Sequence, residues 1–230
     1  MGKGKVTICI CASRSIIDKD KVVEVLHALS EAGYTVAVEA DLCDKAITSS
    51  SDMKEIASTT VVACYPRAVY ALFDRLQLKP VEVVDIRNGG KDDVLSCFDL
   101  TNSPEPEAFV AADIDALLQN TGEDAWYPLL DRERCSGCGK CYDFCLFGVY
   151  SMEDGEVKVS QPTNCKINCP ACARTCPGKA IIFPKYPKSP INGGLTDEET
   201  VAVNQNLLYN DALRYRLNQR KAGASLLKKN

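Results

Sequence analysis

Between residue 5 and about residue 120, short apolar runs alternate with stretches in which hydrophobic side chains recur every three or four positions. "VTICICA" (6–12) has the form of a buried strand. "DKDKVVEVLHALSEAG" (18–33) places Val22, Val25, Leu26 and Leu29 on one helical face and ends at Gly33. "YTVAVEADL" (34–42) predicts the second strand, closed by Cys43, and "SDMKEIAS" (51–58) predicts a helix capped by Ser51 or Asp52. "TVVACYP" (60–66) follows as a strand closed by Pro66, "RAVYALFDRLQL" (67–78) as a helix and "VEVVDIRN" (81–88) as a fourth strand. "PEAFVAADIDALLQN" (106–120) completes the series as a helix. Strands that alternate with helices predict an α/β domain over 1–122: a parallel sheet covered by helices through right-handed crossovers.

The pattern changes after a polar linker, "NTGEDAWYPLLDRER" (120–134), where Trp126 and Tyr127 are placed to pack the two halves together. From 135 to 184 helical periodicity gives way to two cysteine knots around "VYSMEDGEVKVS", which reads as two short strands turning through Gly155. The half is an internal repeat: "RCSGCGKCYDFCLFGVY" against "NCKINCPACARTCPGKAIIF". Residues 185–230 read as a Pro- and Gly-punctuated loop, then a helix with Thr196 as N-cap and Glu199 in a capping box.

Composition narrows the chemistry. The 230 residues are 46% hydrophobic and 25% charged, as in an ordinary globular protein, with a net charge of −4. That balance argues against a general nucleic-acid or membrane-surface binder. No run approaches the ~20 apolar residues of a membrane span, and "MGKGKVTICICAS" lacks secretory-signal form, so a cytoplasmic location is expected. The basic stretch from Arg214 to Lys229 reads as a solvated helix end or docking arm. His27, the single histidine, reads as a helix-surface or core-edge residue rather than a ligand. Thirteen cysteines without a secretion signal point to metal rather than disulfides.

The first knot has C-x2-C-x2-C-x3-C spacing and the second C-x3-C-x2-C-x3-C-P. Three closely spaced cysteines on a tight loop can surround one iron–sulfur cube, while the fourth, one helical turn on, reaches a neighbouring cube. Cys135, Cys138, Cys141 and Cys176 are therefore expected to hold one [4Fe–4S] cluster, and Cys165, Cys169, Cys172 and Cys145 a second. Ser136, Gly137 and Gly139 allow close approach of backbone N–H groups. Zinc also takes four cysteines, and a zinc-stapled interaction module is the competing reading. Zinc sites normally pair two C-x2-C hooks and do not require the further cysteines seen here.

Over residues 129–184 the chain resembles the bacterial two-[4Fe–4S] ferredoxins, with Leu146 in place of a proline and one extra residue between Cys165 and Cys169. Eight ligands fill two cubes and leave no open iron for substrate, so an electron carrier between a low-potential donor and a partner oxidoreductase is expected rather than an enzyme, and exposed cubes would make it oxygen-sensitive. The pieces "ICICAS", "DLC", "VVACYPR" and "VDIRN" over about residues 5–100 are similar to the N-terminal domain of the A subunit of heterodisulfide reductase. This likeness implies a relative of flavin-linked, multi-cluster electron-transfer systems: redox company, not disulfide-reductase activity; an integral subunit of a larger redox enzyme, with a further cluster in this domain, is a second reading. No G-x-G-x-x-G follows any strand. Cys11, Cys43 and Cys64, with Cys9 or Cys97 as fourth ligand, are candidates for a third site. The same residues also suit burial as small hydrophobes.

Overall fold

The computed structural model describes residues 3–48, 50–100, 115, 116, 119 and 124–194. Four β-branched runs form β1 (Lys5–Cys9), β2 (Thr35–Glu39), β3 (Thr60–Ala63) and β4 (Glu82–Asp85). They assemble in the order β2-β1-β3-β4, every pairing parallel, with Val6 opposite both Val36 and Thr60 and Val61 opposite Val83. The central strands β1 and β3 are buried on both faces, which explains why they read as continuous apolar runs rather than alternating ones.

Alternation of side chains sends each strand to two cores. Val6, Ile8, Val62 and Val84 pack against Val22, Val25 and Leu29 of α1 (Lys19–Glu31) and Val94 of α5 (Lys91–Ser96). On the other face, Val61, Ala63 and Val83 meet α2 (Leu42–Thr48), α3 (Ser50–Ala57) and α4 (Pro66–Arg75). Asp18 caps α1 by accepting from the Asp20 and Lys21 amides, and Gly33, at φ +89°, takes the chain out of it. His27 lies on this helix and is buried.

Two expected boundaries move, and one helix is new. Pro66 begins α4 rather than ending a strand, since the first helical turn needs no N–H from it. The second strand stops at Glu39, and Cys43 lies in the first turn of α2. The Asp41 carboxylate causes this by accepting from the Cys43 and Asp44 amides at 3.0 and 3.2 Å. The helix α5 was not anticipated; the Asp93 carboxylate accepts from the Gly90 amide at 2.7 Å and starts it. The expected helix over 106–120 falls outside the described residues apart from 115, 116 and 119, and the expected C-terminal helix and basic tail lie outside them altogether.

The cysteine-rich half is built on two antiparallel pairs. The ribbon pairs β5 (Leu129–Leu130) with β8 (Ile181–Ile182). The hairpin pairs β6 (Tyr150–Glu153) with β7 (Glu156–Val159) through Asp154 and Gly155, both at positive φ, as a two-residue hairpin turn demands. Short helices α6 (Lys140–Phe144) and α7 (Ala171–Thr175) carry the ends of the two knots. Below them Trp126 stacks on Phe183 at 5.1 Å. Tyr127 instead enters the core of the parallel sheet, and its hydroxyl donates to the Cys43 carbonyl at 2.8 Å.

Polar ties cross the same seam. Arg67 of α4 donates to the Asp131 carboxylate at 2.6 Å, to the Pro190 carbonyl at 3.1 Å and to the Lys179 carbonyl. Arg87 donates to the Pro184 carbonyl at 2.9 Å. All described residues fall in one compact unit, Met1–Thr196. Because Leu129 is fully buried against α4 and the sheet, Leu129→Ala is expected to cost about 2–5 kcal/mol. Urea unfolding of the purified protein would show this as a lower midpoint for both halves together; separate transitions for the halves would contradict the shared core.

Candidate functional site

The two knots repeat one backbone design. Cys141 and Cys172 sit at the second positions of α6 and α7. Cys145 and Cys176 end those helices with φ/ψ of −76°/111° and −75°/114°, so both fourth cysteines leave their helices in the same direction. The residue before each second cysteine, Gly137 or Asn168, has positive φ, +68° or +62°. Glycine and asparagine tolerate that conformation, which curls each loop back on itself. A Cβ on Gly178 would stand 2.6 Å from the Arg134 carbonyl oxygen, so the chain passes beneath the first knot only without a side chain there. The extra residue of the second loop is held from outside: Arg14 donates to the Asn168 side-chain oxygen at 2.8 Å.

Cys135, Cys138 and Cys141 of the first knot and Cys176 of the second line one pocket, floored by Leu130, Ala180 and Ile181. The Ala180 amide donates to the Cys176 sulfur at 3.3 Å. Burial pushes the Cys141 thiol up to about 11, and the nearby Cys176 and Cys135 add to the shift. Cys138, which is exposed, is moved the other way, chiefly by the Lys140 amide donating to its sulfur. On the other side Cys165 is pushed up to about 12 by burial, with Cys172, Cys169 and Cys145 contributing. Cys172 is likewise raised to about 12 by burial, partly offset by a hydrogen bond from the Tyr150 hydroxyl at 3.1 Å. The fourth cysteine of each knot thus stands beside the trio of the other.

Cys9, Cys11, Cys43 and Cys64 line a separate pocket at the carboxyl edge of the parallel strands. All four are buried. Burial raises Cys9 to about 12 and Cys64 to about 11, and holds Cys11 and Cys43 well above the ordinary thiol value. Cys97 does not join them; it is exposed at the end of α5, its sulfur 3.3 Å from the Asp93 carbonyl. Pro184 of the cysteine-rich half also lines this pocket. Beside it Lys185, almost wholly buried, places Nζ 2.7 Å from the Asp41 carboxylate and 3.2 Å from that of Asp124. Sequence reasoning passed over Lys185 and Asp41, and the one available signal was a lysine flanked by apolar residues in "IIFPKYP".

The pocket of Cys135, Cys138, Cys141 and Cys176 has no carboxylate or imidazole in its lining and suits a soft metal group, whereas Asp41 lines the pocket of Cys9, Cys11, Cys43 and Cys64. Among the described residues no three or more His, Cys, Asp or Glu side chains converge tightly enough to hold a single ion. A tetrahedral zinc ion needs every sulfur about 2.3 Å from one point. Burial and neighbouring thiols or carboxylates favour the neutral form of Cys141, Cys165 and Cys172 in the knots and of Cys9, Cys11, Cys43 and Cys64 beside the sheet. A bound cationic group supplies the charge that lets them ionise.

Among the described residues no helix is long and apolar enough to cross a membrane. The site thus defines a protein of paired cysteine tetrads, and comparison with known proteins supplies the family. The chain is 49% identical over 61 residues to an uncharacterized ferredoxin of Methanocaldococcus jannaschii, a match covering 26% of this chain and 42% of that protein. It is 36% identical over 57 residues to a second uncharacterized ferredoxin of the same organism and 33% identical over 78 residues to Ferredoxin-3 of a Nostoc species. These matches cover 74% and 79% of the relatives and 24% of this chain each. The chain belongs to the ferredoxins. No protein-family model matches it.

Burial and charge order the reactivity of these thiols. In the metal-free chain Cys138 is expected to alkylate fastest among the knot cysteines, with a half-maximal rate below pH 9.0, its lowered value leaving thiolate present at lower pH. Cys9, Cys11, Cys43 and Cys64 are expected to resist labelling until the chain unfolds. Mass-spectrometric mapping of iodoacetamide adducts across a pH series checks both statements.

Proposed function

We propose that this chain is an iron–sulfur electron-transfer protein whose eight knot cysteines hold two [4Fe–4S] clusters. Cys135, Cys138, Cys141 and Cys176 serve one; Cys165, Cys169, Cys172 and Cys145 serve the other. The observation that carries the reading is the shared cavity, in which three cysteines of one knot meet the fourth of the other. Such crossing is what the x3 spacing of the fourth cysteine accomplishes in two-cluster proteins. When bound, each cluster takes up and returns a single electron. The chain's own residues do the rest. Leu130, Ala180 and Ile181 exclude water from below, and the glycine-lined loop brings amides close to the sulfurs. Four sulfurs per cube leave no open iron for a substrate, so the chain acts as a carrier between a low-potential donor and a partner oxidoreductase rather than as an enzyme.

Partner docking has a surface to use. Tyr142, Phe144, Leu146, Phe147 and Ile167 lie on or beside the knots and are exposed, Leu146 to 86%. Apolar side chains held in water around a redox centre favour a transient, partly desolvated encounter.

A second reading makes the chain an integral subunit of a larger redox enzyme, with a third cluster held by Cys9, Cys11, Cys43 and Cys64. The convergence of these four cysteines on one buried cavity favours it. Iron and acid-labile sulfide per chain after strictly anaerobic purification decide between the readings. About eight of each is expected for two clusters and about twelve for three. Zinc without sulfide would overturn both. Cys176→Ala is expected to lower iron by about half the two-cluster content, and prolonged exposure to air to strip iron from the native chain; full iron retention in either case would count against the assignment.

A further inference from the structure

Tyr150 opens β6 five residues after Cys145, and its hydroxyl donates to the Cys172 sulfur at 3.1 Å. Both side chains are buried, at 5% and 7% exposure, so no water competes for the contact. The internal repeat supplies a natural comparison. Ile181 opens β8 five residues after Cys176 and lines the cavity that contains Cys141, the counterpart of Cys172. A hydroxyl therefore faces one cysteine set where the symmetry-related position presents an aliphatic chain to the other.

Resting on the two-cluster reading, we propose that the Tyr150 hydroxyl raises the reduction potential of the cluster held by Cys145, Cys165, Cys169 and Cys172 and sets it apart from that of its near-symmetric twin. One-electron reduction by the low-potential donor adds negative charge that spreads onto the thiolate sulfurs. A hydrogen bond donated to one of them stabilises the reduced form more than the oxidised form. In a low-dielectric interior this contact is stronger than in water. The first knot has a hydroxyl contact of its own, from Ser136 to Cys138. Cys138 is exposed, however, and a water molecule can replace that donor when it is removed. At Cys172 nothing replaces it. Tyr150 is thus a positioning residue that acts through a ligand sulfur, not a group that touches the transferred electron's donor.

The test compares anaerobically purified wild type and Tyr150→Phe by iron content and by redox titration followed through electron paramagnetic resonance. Tyr150→Phe is expected to keep its iron and to lower one of two midpoint potentials while the other holds. If both potentials hold in Tyr150→Phe, or both move together, the proposal fails while the two-cluster reading stands. A wild-type chain without iron overturns both. Should Tyr150→Phe assemble poorly, 3,5-difluorotyrosine placed at position 150 retains ring and hydroxyl and strengthens the donor. It is expected to raise the same single potential, and an unmoved potential in that variant is equally fatal.

Discussion

A ribbon of two residue pairs holds the molecule together. Leu129 pairs with Ile182 and Leu130 with Ile181, and side-chain alternation along so short a strand sends each pair a different way. Leu129 and Ile182 enter the core beneath α4 and the parallel sheet, whereas Leu130 and Ile181 floor the sulfur-lined cavity of the first knot. Full burial of one such side chain is worth about 1.5–3 kcal/mol, so four of them make this small ribbon the joint of both cores. It also brings the two ends of the cysteine-rich half together, which is the condition for Cys176 to reach the trio around Cys135.

Electrostatics explains why that joint must be apolar. Several thiols at close range in a dry setting can ionise only when a cation arrives, and an aqueous floor would let competing donors and acceptors reach the sulfurs. Beside the second cavity a buried ion pair, Lys185 with Asp41, lies among the thiols. Separating its partners would leave a bare charge in the interior, a change that typically costs about 3–5 kcal/mol. The pair therefore ties the chain after β8 to the loop between β2 and α2.

Much of this was legible in the sequence, and the reasons for what was not are physical. Alternating apolar runs and helical periodicity identified the four parallel strands because central strands of such sheets are apolar throughout. The hairpin at Gly155 was readable because its turn demands positive φ. Cysteine spacing grouped the knots because backbone reach is a local property. Cys43 was misplaced onto a strand end because Asp41, read as part of an extended run, spends its carboxylate capping α2. The pairing of residue 129 with residue 182, the hold of Arg67 on Asp131 and the burial of Lys185 join positions far apart in the chain, and no local pattern announces them. Tyr150 was visible only as the start of a strand; its contact with Cys172 depends on how two loops pack.

Pro184 lines the pocket whose first cysteine is Cys9, and Lys185 pairs with Asp41 beside it, so the last pieces of this corner are synthesised long after the first. A ribosome extending the chain at roughly 5–20 residues per second makes them on the order of ten seconds apart. The α/β half therefore emerges with the Asp41 carboxylate still lacking its lysine, and that charge finds its partner only when the other end of the fold arrives.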